Sequence, residues 1–232
     1  MARRKRTGWR MRLAALVLLA ALVGAAAAWW HLRDWTPPRS RWAVQGAEVS
    51  SIDGAVDWTA LKTIGADFVY LDASASAFAR DNAFVGNLED ARAAHLQVGA
   101  VHIYDPCQPA DKQAANFVTV VPRDAKLLPP AVELDRLADD CLTKVSDAAV
   151  ESELMTFLNQ VETHTGKAVI LKLSKQFEQR YHVAKAINRN LWLQRDRFEP
   201  DYGGRPWTLW TANDQLKTDA DDKPLRWVVV QR

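Results

Sequence analysis

The chain has 232 residues, which is enough for one large domain with its own core or for two small ones. Apolar residues make up 48% and charged residues 25%, the balance of an ordinary globular protein. The net charge is +2, but the first twelve residues alone contain six Lys or Arg. The rest of the chain is therefore slightly acidic and gives no electrostatic support for nucleic-acid binding.

Residues 1–30 have the order of charge and hydrophobicity that is typical of a signal peptide or a signal anchor. Basic residues precede an apolar run of 18 residues at positions 13–30, near the lower limit for a membrane-spanning helix. Cleavage after Ala28 would use the small residues Ala26 and Ala28, whereas retention would place Trp29 and Trp30 at the membrane interface. We favour retention with the basic end in the cytoplasm. Either way the domain is exported: it is periplasmic and anchored to the inner membrane, or it is secreted.

Residues 31–43, which include Pro37 and Pro38, are predicted to link this segment to a domain at residues 44–232. In that domain short apolar runs alternate with helical patterns, which predicts a parallel sheet. Strands are predicted at residues 44–49, 68–71, 98–103, 131–134, 169–173, 191–193, 208–211 and 227–230. Helices are predicted at residues 58–64, 88–95, 110–120 and 150–165. Eight strands with little helix between the last three indicate a barrel that departs from the regular eightfold form.

In parallel barrels the active site forms at the carboxyl ends of the strands, an end called the mouth below. Residues at these ends are Glu48, Asp72, His102, Glu133, Asp135, Trp210 and Arg226. Glu133 and Asp135 are two apart on one predicted strand, so their side chains point to the same face. Such a pair could serve acid–base chemistry, form a solvated strand end, or bind a metal. No His or Cys cluster with metal-ligand spacing accompanies it.

Cys107 and Cys141 are the two cysteines of the chain, and both lie in the exported part. An even number of cysteines in an oxidising compartment suggests one disulfide. The bridge would close a loop of about 35 residues and would stabilise the fold by roughly 3–4 kcal/mol. Two buried thiols are the alternative.

Several short motifs along the domain resemble the glycoside hydrolase family 25 lysozymes. Gly-Ala-Glu-Val-Ser at residues 46–50 and Gly-Ala-Val-Asp-Trp at 54–58 resemble the family's opening Gly-x-Asp-Val-Ser and Gly-x-x-Asp-Trp. Val-Gly-Ala-Val-His-Ile at 98–103 is similar to its Val-Gly-Ala-Tyr-His-Phe strand. Residues 128–135 resemble the strand that bears its Asp-x-Glu. The resemblance covers residues 44–230, and proteobacterial members often carry a cysteine pair where Cys107 and Cys141 stand.

The resemblance implies an α/β fold, a modified TIM-like barrel with five βα units and three further strands, (β/α)5(β)3. It implies hydrolysis of the β-1,4 bond between N-acetylmuramic acid and N-acetylglucosamine in peptidoglycan, with no metal and no cofactor. The family's general acid corresponds to Asp135, and the partner carboxylates correspond to Glu133 and Glu48. Peptidoglycan glycan strands and, through the N-terminal helix, the membrane are the expected partners.

The resemblance also suggests which residues bind the sugar. His102 and Arg226 fall at strand ends that face the family's groove. Tyr104, Trp207 and Trp210 are expected to line the groove, because an aromatic face offers a flat apolar surface to a sugar ring.

The sequence departs from the family at the positions that carry the chemistry. The Asp-x-Glu is Glu133-x-Asp135 here, which displaces each carboxyl by roughly 1.5 Å, a shift that can reduce a rate by about 10²-fold. The Glu of the second-strand motif is absent, and Arg226 stands where the last strand usually has an Asp. Arg226 is expected to pair with Glu133 or Asp135 and to favour their charged forms. Three interpretations follow: weak hydrolysis, a degenerate relative that binds peptidoglycan or a cell-envelope partner, or a different glycosidic substrate.

Overall fold

The structure, a computed structural model, describes residues 5–231, so Arg3 and Arg4 of the predicted targeting segment lie outside the described residues. The chain divides into two compact units after Trp35. The first is helix α1 (Lys5–Arg33). Its stretch Gly8–Trp30 has a mean hydropathy of 2.2 and no buried portion, so by length and composition it could cross a membrane. A signal peptide and a retained anchor share these properties.

Eight strands of the second unit close into a barrel. Seven of them run parallel, and the last is antiparallel to both of its neighbours, because its partners are the preceding strand and the first one. Pairing of the first two strands completes the closure. The strands are β1 (Gln45–Val49), β2 (Phe68–Ala75), β4 (Gln97–Ile103), β5 (Ala131–Leu134), β6 (Ile170–Leu173), β7 (Leu191–Gln194), β8 (Leu209–Thr218) and β9 (Asp221–Val230), and β3 (Ala79–Arg80) forms a short hairpin with the end of β2.

Helices follow the first five barrel strands, whereas β7, β8 and β9 follow one another without a helix between them. The predicted (β/α)5(β)3 barrel is therefore confirmed. Side chains of Asp57, Ser146 and Ser174 cap three of these helices by accepting a backbone N–H, and Gly166 ends the longest one at φ 70°. The helices are α2 (Trp58–Thr63), α3 (Phe84–Ala93), α4 (Ala110–Val120), α5 (Asp147–Thr165), α6 (Lys175–Tyr181) and α7 (Val183–Ala186), with a 3₁₀ turn at Ala138–Asp140.

Several strands are longer than the sequence predicted. Strand β2 continues to Ala75, and β8 and β9 extend into a long hairpin that ends at the pair Thr218 and Asp221. The apolar pattern stops where these strands leave the core, so hydrophobic periodicity could not indicate their full length. The second half of the predicted linker packs on the barrel, because the Gln45 side chain donates to the carbonyls of Pro37 and Trp42 at 2.8 Å.

The barrel interior has an apolar layer toward the amino ends of the strands. Glycines at two positions make room for its rings: a Cβ on Gly99 would lie 2.3 Å from the Tyr70 ring, and one on Gly46 would lie 2.8 Å from the Phe68 ring. The layer consists of Phe68, Tyr70, Val101, Ala131, Ile170, Trp192, Leu209 and Val228.

A polar layer lies directly above the apolar one, on the mouth side. Side chains two residues apart on a strand share a face, so the residue two positions further toward the mouth also points inward. On the parallel strands, the inward-pointing residues next toward the mouth are Glu48 after Gly46, Asp72 after Tyr70, Glu133 after Ala131 and Lys172 after Ile170. On β9, which runs in the opposite direction, Arg226 lies on the mouth side of Val228. Strand alternation therefore brings five residues with ionisable side chains to one level of the barrel.

The disulfide joins the loop after β4 to the loop after β5. Cys107 and Cys141 are bonded with their Cα atoms 5.2 Å apart, which confirms the predicted bridge. Beside it, the Arg136 guanidinium pairs with the Asp105 carboxylate at 3.0 Å. Both contacts restrain neighbouring loops at the mouth.

Replacing both Cys107 and Cys141 by Ala should lower the free energy of unfolding by about 3 kcal/mol, because the bridge closes a loop of 34 residues in the unfolded chain. Urea unfolding of the full chain, followed by Trp fluorescence, measures the change. Dithiothreitol should destabilise the wild type by a similar amount and leave the double variant unaffected. Equal stability of the oxidised wild type and the double variant would contradict the prediction.

Candidate active site

The Lys172 ammonium lies at the centre of the polar layer. It is 2.5 Å from Glu48 Oε1 and 2.6 Å from Glu133 Oε2, so it joins the first, fourth and fifth barrel strands, β1, β5 and β6. The side chains of Lys172 and Glu48 are only 3% and 1% exposed, whereas that of Glu133 is 22% exposed. Glu133 is therefore the member of this cluster that faces the opening.

Charge pairing outweighs burial in this cluster. Burial alone would raise the pKa of Glu48, but the positive charges of Lys172 and Arg226 lower it below its usual range. Burial alone would lower the pKa of Lys172, but the nearby carboxyl groups Glu48 and Glu133 raise it. Both groups are charged at neutral pH, as buried ions in close contact must be.

Arg226 faces inward, as the sequence predicted, but its partners differ from the predicted ones. Its guanidinium lies 3.4 Å from Glu48 and 3.1 Å from Asp53, a residue of the loop after β1. The expected pairing with Glu133 or Asp135 is corrected accordingly. The reason is strand order: β9 lies beside β1 and across the barrel from β5.

The environment of Asp72 differs from that of Glu48 and Glu133 in the same polar layer. Asp72 is half-buried in the middle of β2, and its Oδ1 atom is buried with no hydrogen-bond partner among the described residues. Burial and the negative charge of Glu48 raise the pKa of Asp72 well above its usual range. Asp72 therefore holds a proton under conditions in which Glu48 is charged.

Glu133 and Asp135 extend from the polar layer to the rim of the mouth. Asp135 is exposed, and its Oδ1 accepts a hydrogen bond of 2.8 Å from Gln176 at the start of α6. The structure thus brings together the three predicted carboxylates at one end of the barrel, with Glu48 at the bottom, Glu133 above it and Asp135 outermost. Reacting groups on a substrate would meet Glu133, Asp135 and Asp72 first.

His102 does not join the mouth. Its ring is fully buried between the barrel wall and the helices, stacked on Phe157 of α5 with centroids 4.7 Å apart. The Gln113 amide donates to two backbone carbonyls, so its Oε1 accepts from His102 Nε2, and His102 Nδ1 accepts from the Ser74 hydroxyl at 2.8 Å. His102 therefore packs between the sheet and the helices, and the prediction that it contacts sugar is wrong.

The three predicted groove aromatics also lie elsewhere. Tyr104 is buried beside the same Phe157 ring, with centroids 5.7 Å apart. Trp207 and Trp210 are buried around Trp42, at centroid distances of 5.5 and 5.7 Å. This cluster is on the outer side of β8, because the neighbouring Leu209 points into the barrel. None of the three offers a free face to a sugar.

Sequence reasoning missed Lys172 and did not assign a role to Asp72. A signal for Lys172 was present: it interrupts the apolar run Val-Ile-Leu-Lys-Leu at residues 169–173, in a strand predicted to be buried. A lysine in such a strand requires a carboxylate partner. Asp72 ends the apolar run of β2 in the same manner.

The family profile described as Glycosyl hydrolases family 25 matches residues 47–219. The match covers most of the chain and nearly all of the barrel, and the chain therefore belongs to this family, whose members are glycosidases. The solved structure of a family 25 glycosyl hydrolase from Bacillus anthracis superposes with a TM-score of 0.77 at 24% identity, covering 84% of this chain and 91% of that one. The bacterial lysozyme from Streptomyces coelicolor gives a TM-score of 0.73 at 19% identity, covering 82% and 92%.

A relative of similar sequence is the Escherichia coli K12 protein YegX. It is 24% identical over 193 residues, which cover 79% of this chain and 68% of that protein. The structural superpositions at these identities establish the fold.

Acid should destabilise the protein through His102. Burial lowers the pKa of His102 from 6.5 to about 4, so between these pH values the unfolded chain binds a proton that the folded chain does not. The contribution of neutral His102 to the free energy of unfolding is therefore intact above pH 6.5. It decreases as the pH falls toward 4, by up to about 3 kcal/mol.

Urea unfolding at several pH values should show a shallower dependence between pH 6.5 and 4 for His102→Gln than for the wild type. Replacement of the exposed His95 by Asn is the matched control and should keep the wild-type dependence. Parallel curves for His102→Gln and the wild type would refute the assignment.

Proposed function

We propose that the chain hydrolyses the β-1,4 bond between N-acetylmuramic acid and N-acetylglucosamine in peptidoglycan, with slow turnover. The observation that supports this proposal is the ladder of acidic side chains at the mouth of a family 25 barrel: Glu48, Asp72, Glu133 and Asp135. Glycoside hydrolysis requires one carboxyl group that gives a proton and another that is charged. The ladder contains carboxyl groups in both kinds of environment.

Slow turnover follows from the cations in the same layer. The transition state of glycoside hydrolysis develops positive charge on the sugar ring. Lys172 and Arg226 neutralise Glu48, and Lys172 also pairs with Glu133, so little net negative charge remains to stabilise that ring. Asp135, exposed and without an ion-pair partner among the described residues, is the carboxylate that can approach the sugar.

A second candidate function is binding of peptidoglycan, or of a cell-envelope partner, without cleavage. The observation that favours it is the same pairing of Glu48 and Glu133 with Lys172, which leaves these two carboxylates less able to take part in chemistry. The two functions differ in whether glycan chains are cut, so turnover separates them.

Release of soluble dye from dye-labelled peptidoglycan should exceed the blank with the full-length chain in detergent micelles, and Asp135→Asn should reduce the rate by about 10²-fold. The matched control is Asp140→Asn, an exposed aspartate in the loop after β5 that should keep the wild-type rate. Co-sedimentation with unlabelled peptidoglycan is measured in parallel. Binding without dye release would favour the second candidate, and full turnover by Asp135→Asn would reject the role of Asp135.

We also propose that α1 stays attached and holds the barrel outside the cytoplasmic membrane, as an inner-membrane anchor with a periplasmic domain. The length and hydropathy of α1, the basic residues before its apolar run at positions 13–30 and the disulfide in the barrel support this placement. Secretion after cleavage is the alternative.

Alkaline phosphatase fused after residue 232 should be active in intact bacterial cells, because this enzyme folds only where disulfides form. A β-galactosidase fusion at the same position is the control and should be inactive. The fusion protein should remain in the membrane fraction if α1 is retained. The reverse activities would contradict export, and a soluble fusion would indicate cleavage.

A further inference from the structure

We infer that Asp72 on β2, and not Asp135 on β5, donates the proton to the leaving oxygen of the glycosidic bond. The inference rests on the proposed hydrolytic function and assigns a new residue to it. It moves the acid role to the strand beside β1, where Asp72 shares the polar layer with the paired carboxylates.

The geometry of β2 aims Asp72 into the mouth. Phe68 and Tyr70 of the same strand point into the barrel core, so Asp72 follows them inward. The pairing of β2 with β4 shifts register immediately afterwards, because Asp72 pairs with Val101 whereas Ser74 pairs with His102. The extra residue directs Ser74 outward to the His102 ring, as bulges beside active sites redirect side chains.

Asp72 differs from the other carboxyl groups of the polar layer in the charges that surround it. Charged groups act on it from four strands: Glu48 on β1, Glu133 on β5, Lys172 on β6 and Arg226 on β9. The two cations are engaged by Glu48, Glu133 and Asp53.

Within the described part of the chain, the buried Oδ1 of Asp72 has no hydrogen-bond partner that would stabilise a charge. Burial and the negative charge of Glu48 raise the pKa of Asp72 well above its usual range, which favours the protonated form that a proton donor needs.

The positions on β5 have the opposite surroundings. Glu133 accepts a hydrogen bond from the Lys172 ammonium, and Asp135 is exposed and accepts one from Gln176. Asp135, exposed and without an ion-pair partner among the described residues, is thus suited to stabilise positive charge on the sugar, and Asp72 is suited to give a proton.

The bond between the anomeric carbon and the leaving oxygen breaks, its electron pair stays on that oxygen, and the Asp72 proton transfers to it. Water then adds to the anomeric carbon and gives one proton to the Asp72 carboxylate. The carboxyl group is restored, and the net reaction is hydrolysis.

Two substrates test the assignment. Peptidoglycan has an alkoxide-type leaving group that requires a proton, whereas the 2,4-dinitrophenyl β-glycoside of the disaccharide N-acetylglucosaminyl-N-acetylmuramic acid releases a phenolate that does not. Asp72→Asn should lose about 10²-fold on peptidoglycan and keep the aryl glycoside rate within about threefold. Asp135→Asn should lose activity on both substrates, and Asp140→Asn on neither. The wild type should lose kcat/KM on peptidoglycan at high pH, and this loss should be absent for the aryl glycoside.

The outcomes separate the inference from the proposed function. An active wild type with an equally active Asp72→Asn on peptidoglycan overturns the inference and leaves the hydrolase. If Asp72→Asn loses the same fraction of its rate on both substrates, the assignment of Asp72 as the proton donor is overturned too. No turnover by the wild type on either substrate overturns both proposals.

If Asp72→Asn does not fold, ¹³C NMR of the wild type labelled at aspartate carboxyls provides an independent test. One carboxyl that titrates well above the others is expected. Uniformly acidic titration of all aspartates overturns the inference.

Discussion

The ammonium of Lys172, enclosed by carboxylates, determines how the upper half of the barrel is built. A buried charge without a partner costs several kcal/mol, so Glu48 and Glu133 must stay within contact of Lys172. These three residues come from strands β1, β5 and β6, and their contacts therefore fix the distances across the barrel. Loss of Lys172 would leave the buried carboxylate of Glu48 with Arg226 as its remaining ion-pair partner among the described residues, at a cost of about 3 kcal/mol.

The same arrangement divides the acidic residues into two groups. The two cations pair with Glu48, Glu133 and Asp53, and within the described residues Asp72 has no ion-pair partner, so burial and Glu48 raise its pKa well above the usual range. Carboxyl groups that lie close together but differ in protonation can take different chemical roles. Arg226 stands where the last strand of the family usually has an Asp, so a positive charge replaces a negative one at this position. The same positive charge helps Glu48 to remain ionised.

Polar residues behind the barrel wall hold the mouth in shape without entering it. The Gln113 amide fixes the loop after β4 by donating to the carbonyls of Asp105 and Gln108. The Asn116 amide donates to the carbonyls of Ser76 and Ala79 in the β2–β3 hairpin. The disulfide continues this restraint to the loop after β5. Buried amide side chains of α4 thus restrain the loops that surround the mouth.

The sequence by itself indicated the eight barrel strands in chain order and the charged ends of β1, β5 and β9, because hydrophobic runs and period-two alternation are local properties. The even number of cysteines suggested the disulfide but left two free thiols as an alternative. The tertiary structure alone decided which face of each strand points inward. Both faces of a barrel strand are buried, so Val101 and His102 are equally concealed, and only the closed barrel directs one to the core and the other to α5. The partners of Lys172 and Arg226 were likewise beyond local pattern, because they lie on distant segments and meet only when strand register and closure set their positions across the barrel.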